Sequence, residues 1–326
     1  MKTSHIHIDS HLGPDELVEI MRKDIRAGLE STPKKLLPKY FYDARGSELF
    51  EEITEQPEYY QTRTERKLLI DIAPDLVQRH HFEELLELGS GSSTKTRVLL
   101  DPMHNDHHLR KYIPFDVSPS MVHRVGEELT AEYPELEVHG IIGDFTRHLR
   151  EVPKGSRRLI VFLGGTIGNF EPQNAVRFLS DLASTLTDSD RILLGTDLVK
   201  DVRVLEAAYN DQAGVTAEFN RNILRVINNE LDADFPVEGY QHHAFFNDED
   251  NRIEMWLRST SAHRVRVNEL GLELDIREGE PIRTELSHKF TRTSAQSMVQ
   301  RAGLRIEEWH TDAENLFALS LLALAS

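Results

Sequence analysis

The chain has 326 residues, no cysteine and a net charge of −17, with 29% charged and 39% hydrophobic residues. This length supports one large domain or two coupled ones, and the lack of cysteine excludes disulfides and thiolate metal sites. The negative charge argues against a surface that follows nucleic-acid phosphates, so a small-molecule substrate is expected and nucleic acid is not. No apolar run reaches the length of a membrane span, and the polar start at residues 1–10 lacks a signal-peptide core. A cytoplasmic protein is therefore expected.

In chain order, Leu17, Ile20, Met21 and Ile25 lie at helical spacing and predict an amphipathic helix over 14–29. Residues 36–60 then collect Tyr40, Phe41, Tyr42, Phe50, Tyr59 and Tyr60 in a chain that is only 7% aromatic. Most of these rings are expected to pin the N-terminal helices to the main domain, and one or two to line a pocket. A further helix is expected around 64–72.

The stretch 84–96 reads E-L-L-E-L-G-S-G-S-S-T-K-T. An apolar run ends in Gly89 and Gly91 and passes into a helix start, with Lys95 in its first turn. Such a strand, tight turn and helix N-terminus lets a nucleotide-like ligand approach the backbone. A dinucleotide fold and a phosphate-binding loop each want glycine where Thr94 stands. S-adenosylmethionine needs only the first glycines and an acid at the strand end, and Glu87 supplies one that can face the cationic methionine portion.

The next strand, 111–116, ends in Asp116, at the distance where an acid grips ribose hydroxyls. Ser118-Pro119 then open a helix. Strand 138–142 leads to Asp144-Phe145, an acid and a ring suited to adenine. Strand 158–163 runs into Gly164-Gly165-Thr166-Ile167-Gly168-Asn169. In open α/β sheets the reaction site lies beyond the carboxyl ends of the strands, which places Thr166 and Asn169 toward the substrate. Asn169 as a simple turn residue is the competing reading. A helix from 171 and a strand over 191–196 complete a β-α alternation, hence an α/β doubly wound, Rossmann-like parallel sheet.

The rhythm breaks over 200–289, where two helical stretches precede strands at 240–246 and 252–259. This inserted α+β region is a candidate substrate lid. A helix over 294–302 and strands at 304–308 and 317–325 then finish the sheet. A helix followed by two adjacent strands is how class I methyltransferase sheets end, with the last strand antiparallel, and this favours S-adenosylmethionine as methyl donor.

The chain resembles the histidine N-alpha-methyltransferase family of ergothioneine biosynthesis. The likeness runs through F-Y-D-A-R-G-S-E-L-F (41–50), P-E-Y-Y (57–60), the glycine turn, Y-I-P-F-D-V-S (112–118), G-G-T-I-G-N-F (164–170) and T-E-L-S-H-K-F (284–290). It implies a methyltransferase domain of 64–199 and 290–326, and a substrate-binding domain of 9–63 and 200–289. It implies three successive methylations of the α-amino group of L-histidine, giving hercynine. It places Tyr42, Gly89, Lys95, Asp116, Asp144 and Phe145 at the cofactor site or its edge. It places Tyr59, Gly164, Thr166, Asn169, Tyr209, Met255, Glu285 and Ser287 in the histidine pocket, with Tyr59 and Asn169 serving the reacting amine.

Glu285 and Ser287, two apart on one strand face, can meet a ring nitrogen while Met255 packs the ring. Taken alone, Glu285 would more often be a solvated surface carboxylate, and it is the T-E-L-S context that reverses this. Catalysis is expected from positioning and desolvation, without a metal. His104, His107 and His108 are read as a polar loop. A monomer is expected. The alternatives are a methyltransferase of the same fold acting on another amino acid, such as tryptophan, or on a small amine, and a non-catalytic nucleotide-binding module.

Overall fold

The computed structural model describes residues 6–91 and 95–325. The chain folds as two compact units, one of Met1–Gly13, Arg63–Leu198 and Phe290–Ser326 and the other of Pro14–Thr62 and Val199–Lys289. In chain order the first elements are β1 (Ile6–Ser10), α1 (Pro14–Leu29), β2 (Lys34–Lys35), α2 (Ala44–Thr54), α3 (Gln61–His80), β3 (Glu84–Leu88) and α4 (Arg97–Asn105). There follow β4 (Lys111–Asp116), α5 (Pro119–Glu132), β5 (Glu137–Ile142), α6 (Phe145–His148), β6 (Arg158–Phe162), α7 (Pro172–Ala183) and β7 (Arg191–Asp197). The inserted region holds α8 (Val202–Ala207), α9 (Val215–Glu230), β8 (Tyr240–Asn247), β9 (Arg252–Ser259), β10 (His263–Val267), β11 (Leu272–Ile276) and β12 (Pro281–His288). The chain closes with α10 (Arg292–Arg301), β13 (Leu304–Thr311) and β14 (Phe317–Leu324).

The first unit is built on an eight-stranded sheet in the order β1-β5-β4-β3-β6-β7-β14-β13. The six strands from β1 to β7 in that order run parallel, and β14 inserts antiparallel between β7 and β13. Strand alternation sends successive side chains to opposite faces, so Leu86 and Leu88 join one buried cluster and Leu85 the other. Burial on both faces is why these strands read as continuous apolar runs. The doubly wound sheet with an antiparallel ending matches the sequence reading. One strand does not: β1, read only as a polar start, pairs with β5 and so joins this unit, whereas the sequence reading began the second region at residue 9.

The second unit has a four-stranded sheet, β2-β12-β9-β8, and a separate β10-β11 hairpin. Asn220 on α9 is fully buried and ties the helix to this sheet. Its amide donates to the Trp256 carbonyl at 3.1 Å and to His242 Nδ1 at 2.8 Å, and its oxygen accepts from Thr284 Oγ1 at 2.6 Å. The aromatics of the N-terminal segment gather on Phe219 of the same helix. Ring centroids lie 4.5 Å away for Phe41, 5.6 Å for Tyr42 and 6.0 Å for Phe50. These rings therefore pin the N-terminal helices to the insertion, not to the main domain as the sequence reading had it, and the two distant segments become one body.

Candidate active site

In the first unit, Gly89 and Gly91 both adopt positive φ, 75° and 47°. Among the described residues, a β-carbon at Gly91 would meet nothing within 4 Å, and one at Gly89 only the Phe145 ring edge at 3.8 Å. The backbone thus leaves an open cradle at the strand end, the shape a nucleoside-bearing ligand needs. Ser92, Ser93 and Thr94 lie outside the described residues. Asp116 ends β4 beside this cradle, its Oδ2 accepting from the Gly91 amide at 3.2 Å and its Oδ1 from the Ser118 amide at 3.0 Å. Burial nonetheless holds its carboxyl above the usual range, against the pull of those amides. Ser118 caps α5 by position alone, its hydroxyl pairing with Ser120.

Asp144 Oδ1 caps α6 by accepting from the Thr146 amide at 2.9 Å and its hydroxyl at 2.5 Å. Phe145 packs edge-on against Phe162 at 5.5 Å, which fixes the ring facing Gly89. The expected acid-and-ring pair for adenine is therefore beside the cradle, with one acid oxygen already used as a cap.

Glu87 is buried. It shares the strand face of Leu85, so its carboxylate turns inward and accepts from Thr96 Oγ1 and Tyr112 OH, both at 2.5 Å. Burial pushes this carboxyl up to about 7 in spite of those two donors. Its Oε2 thereby anchors the start of α4.

Sequence reasoning overlooked Glu65. This fully buried carboxylate on α3 accepts from Lys95 Nζ at 2.5 Å and from the Gly164 amide at 2.7 Å. It thereby fastens the glycine turn to the loop after β6. Gly195 makes room for it, since a β-carbon there would lie 2.4 Å from Glu65 Oε1. In the same loop the Thr166 hydroxyl donates to the Leu163 carbonyl at 2.8 Å, which braces the turn. Asn169 closes the single 3-10 turn Thr166–Asn169 and is half-buried. No hydrogen bond of its amide is found among the described residues.

The second unit holds the remaining residues. β12 pairs with β9 so that Glu285 stands opposite Met255 and Ser287 opposite Ile253. Met255 is buried. The protein around Glu285 withdraws water from its partly accessible carboxyl and pushes it up to about 7, with the Lys289 ammonium opposing. Tyr209 donates from its hydroxyl to Ser287 Oγ at 2.8 Å. Its backbone carbonyl is held by His242 Nε2, also at 2.8 Å, and burial keeps that imidazole below its usual pKa and hence neutral. His242 and Asn220 thus position Tyr209, and neither was singled out from sequence.

Tyr42 is half-exposed and within electrostatic reach of Glu285 and Tyr209. It was expected at the cofactor edge, and it belongs to the second unit. Its setting explains the 41–50 motif. Asp43 caps α2 by accepting from the Gly46 amide at 2.7 Å, and Asn222 on α9 donates to Asp43 Oδ1 at 2.8 Å and to the Phe41 carbonyl at 3.3 Å. Tyr59 stacks edge-on against Phe50 at 6.2 Å. A β-carbon on Gly46 would sit 1.7 Å from the Phe41 carbonyl oxygen. Gly46→Ala is accordingly expected to cost about 2 to 3 kcal/mol of stability, read by thermal unfolding. An unchanged melting profile would count against this packing.

Elsewhere in the first unit lie two imidazole–carboxylate groups. Asp9 meets His7 Nε2 at 3.0 Å and His139 Nε2 at 2.7 Å, and Asp106 meets the Nδ1 atoms of His81 and His108, both at 2.8 Å. His104, read as part of a polar loop, is on α4 with its ring 5.4 Å from that of Tyr133.

Residues 21–324 match the family described as histidine-specific methyltransferase, SAM-dependent. The chain belongs to this family. It is 48% identical to the histidine N-alpha-methyltransferase of Mycolicibacterium smegmatis, over 97% of this chain and 98% of that one. It is 30% identical to ergothioneine biosynthesis protein 1 of Neurospora crassa, over 89% of this chain but only 33% of that longer protein. It is 27% identical to the L-tryptophan methyltransferase of Psilocybe serbica, over 81% of each. The expected site residues of this methyltransferase are divided between the units, with Gly89, Lys95, Asp116, Asp144, Phe145, Gly164, Thr166 and Asn169 on the first and Tyr42, Tyr59, Tyr209, Met255, Glu285 and Ser287 on the second.

Proposed function

We propose that this enzyme methylates the α-amino group of L-histidine three times in succession, giving hercynine as a step of ergothioneine biosynthesis. The observation that carries the reading is the Glu285–Ser287 pair on one face of β12 with Met255 at the facing register position. A neutral imidazole offers one donor and one acceptor, and an acid beside a hydroxyl answers both. An indole offers a single N–H and no ring acceptor, which would leave the hydroxyl unmatched. The 48% identical histidine N-alpha-methyltransferase of Mycolicibacterium smegmatis supports the same substrate.

S-adenosylmethionine, held at the glycine cradle, supplies an electrophilic methyl group on sulfur. Gly89 and Gly91 fit it by leaving the backbone bare, and Asp116 is the natural partner for ribose hydroxyls. Lys95 borders this cradle, Asp144 and Phe145 take the adenine, and Tyr42 serves the edge of the cofactor site. Tyr209 and Met255 complete the imidazole pocket. Gly164, Thr166, Asn169 and Tyr59 serve the amino-acid end, with Asn169 and Tyr59 acting on the amine. Only the neutral amine carries a lone pair, so these neutral hydroxyl and amide groups favour it by giving an ammonium no counter-ion. Catalysis then rests on alignment and desolvation, and no metal takes part. The enzyme works as a cytoplasmic monomer, a setting that the absence of cysteine suits.

Mass spectrometry of the purified protein with S-adenosylmethionine and histidine should show a product heavier by three methyl groups, unaffected by EDTA. A tryptophan product with none from histidine would replace this reading by the alternative of another amino acid. Loss of turnover in EDTA would overturn the metal-free account.

A further inference from the structure

Lys289 follows β12 two residues after Ser287 and is 4% exposed. Its Nζ lies 2.8 Å from Ser287 Oγ, 3.1 Å from the Tyr209 hydroxyl and 4.8 Å from the centre of the Tyr209 ring. An ammonium has three donors and no acceptor, so it donates to both oxygens. The Tyr209 hydroxyl in turn donates to Ser287 Oγ. Both lone pairs of Ser287 are then filled, by Lys289 and by Tyr209. The one hydrogen-bonding capacity left to this buried hydroxyl is its own proton.

We infer that Lys289 is a positioning residue that makes Ser287 a fixed hydrogen-bond donor, so that the second unit selects rings presenting an unprotonated nitrogen at that point. The inference rests on the reading above that Glu285 and Ser287 meet the imidazole. It adds which nitrogen each takes. Ser287 addresses the bare nitrogen and Glu285 the N–H. An imidazolium has no bare nitrogen and would also face the Lys289 charge. The charged and titratable groups at this point are Lys289, Glu285 two residues before Ser287, Tyr209, and Tyr42, which couples to both Glu285 and Tyr209. Without Lys289, Ser287 regains one lone pair and can accept as well as donate, so its preference for an acceptor relaxes.

The test uses the full-length enzyme with S-adenosylhomocysteine bound and measures amino-acid affinity by calorimetry at about pH 9, above the range in which Glu285 takes up a proton. Three ligands are compared: histidine, thiazolylalanine, whose ring has an acceptor nitrogen and no N–H, and pyrrolylalanine, whose ring has the N–H and no acceptor. Lys289→Met should weaken histidine and thiazolylalanine about five- to ten-fold and leave pyrrolylalanine within about two-fold, as loss of one polarised hydrogen bond predicts. Lys289→Arg, which keeps the charge and the donors, should restore part of the difference. The KM for histidine should rise in Lys289→Met with kcat nearly unchanged. Equal weakening of all three ligands would make Lys289 merely structural, and no weakening would remove it from recognition altogether. If Lys289→Met fails to fold, Tyr209→Phe, which also frees a Ser287 lone pair, must show the same ring-selective loss. Ser287→Ala and Glu285→Gln separate the two layers of argument. If neither raises the histidine KM, the pocket itself is misplaced; if both do and Lys289→Met shows no ring selectivity, only the role of Lys289 fails.

Discussion

Glu285→Ala is expected to raise the KM for L-histidine about 100-fold, the equivalent of about 2 to 3 kcal/mol for one charged hydrogen bond in a shielded site. Affinity for S-adenosylmethionine should not change, because the glycine cradle and Asp116 belong to the first unit and Glu285 to the second. Folding should not suffer either. The carboxyl of Glu285 is pushed up to about 7 by loss of water, so the folded protein disfavours its ionised form. For an acid with a raised folded pKa, stability falls as pH climbs from the ordinary carboxylate range to the folded value and stays reduced above it. Glu285→Gln should therefore melt higher than the wild type at pH 8, and the gap should close as pH falls below about 5. An isosteric variant that is more stable and binds histidine worse is the signature of a charge kept for function. A variant that loses the methyl donor while its histidine KM stays put would remove Glu285 from the substrate site.

Glu65→Ala should have the largest effect on stability, about 3 kcal/mol measured by thermal or urea unfolding. The side chain is fully buried and both of its oxygens are engaged, one by Lys95 and one by the Gly164 amide. Its removal leaves a backbone N–H without its acceptor, a lysine without its counter-charge and a small void beside Gly195. Glu65→Gln keeps an oxygen for Gly164 and should lose less. The methyl-donor affinity should also drop in Glu65→Ala, since the glycine turn and the loop after β6 are no longer fastened together. An alanine variant with wild-type unfolding would mean that Lys95 and Gly164 find other partners at no cost.

Much of the parallel sheet is legible in the sequence because strands buried on both faces must be apolar throughout, as Leu85 to Leu88 with one acid and residues 159–162 are. Strand β1 is not legible, because an edge strand half open to water alternates Ile6 and Ile8 with His7 and Asp9 and looks like a polar leader. The direction of Glu87 could have been read from parity alone, since it shares a face with the core residue Leu85. Glu65 could not: it stands in the charged run T-R-T-E-R-K, and one of its partners is a backbone amide 99 residues away. Glu285 and Ser287 stand out only through their motif, for an isolated acid on a short strand carries no sign of what surrounds it. Lys289 extends the same alternation by one step and was passed over, because a lysine at a strand end ordinarily points to water.

The second unit is assembled from chain segments that leave the ribosome at very different times. Residues 14–62 emerge well before 199–289, with Phe41, Tyr42 and Phe50 exposed, and their anchor Phe219 and clamp Asn222 arrive only after the parallel strands β3 to β7. The earlier segment must therefore wait, its aromatic rings unburied, while the intervening strands are made. Moving residues 14–62 to a position directly ahead of α8 would shorten that wait, and the yield of folded protein from such a rearranged gene would measure how much the delay matters.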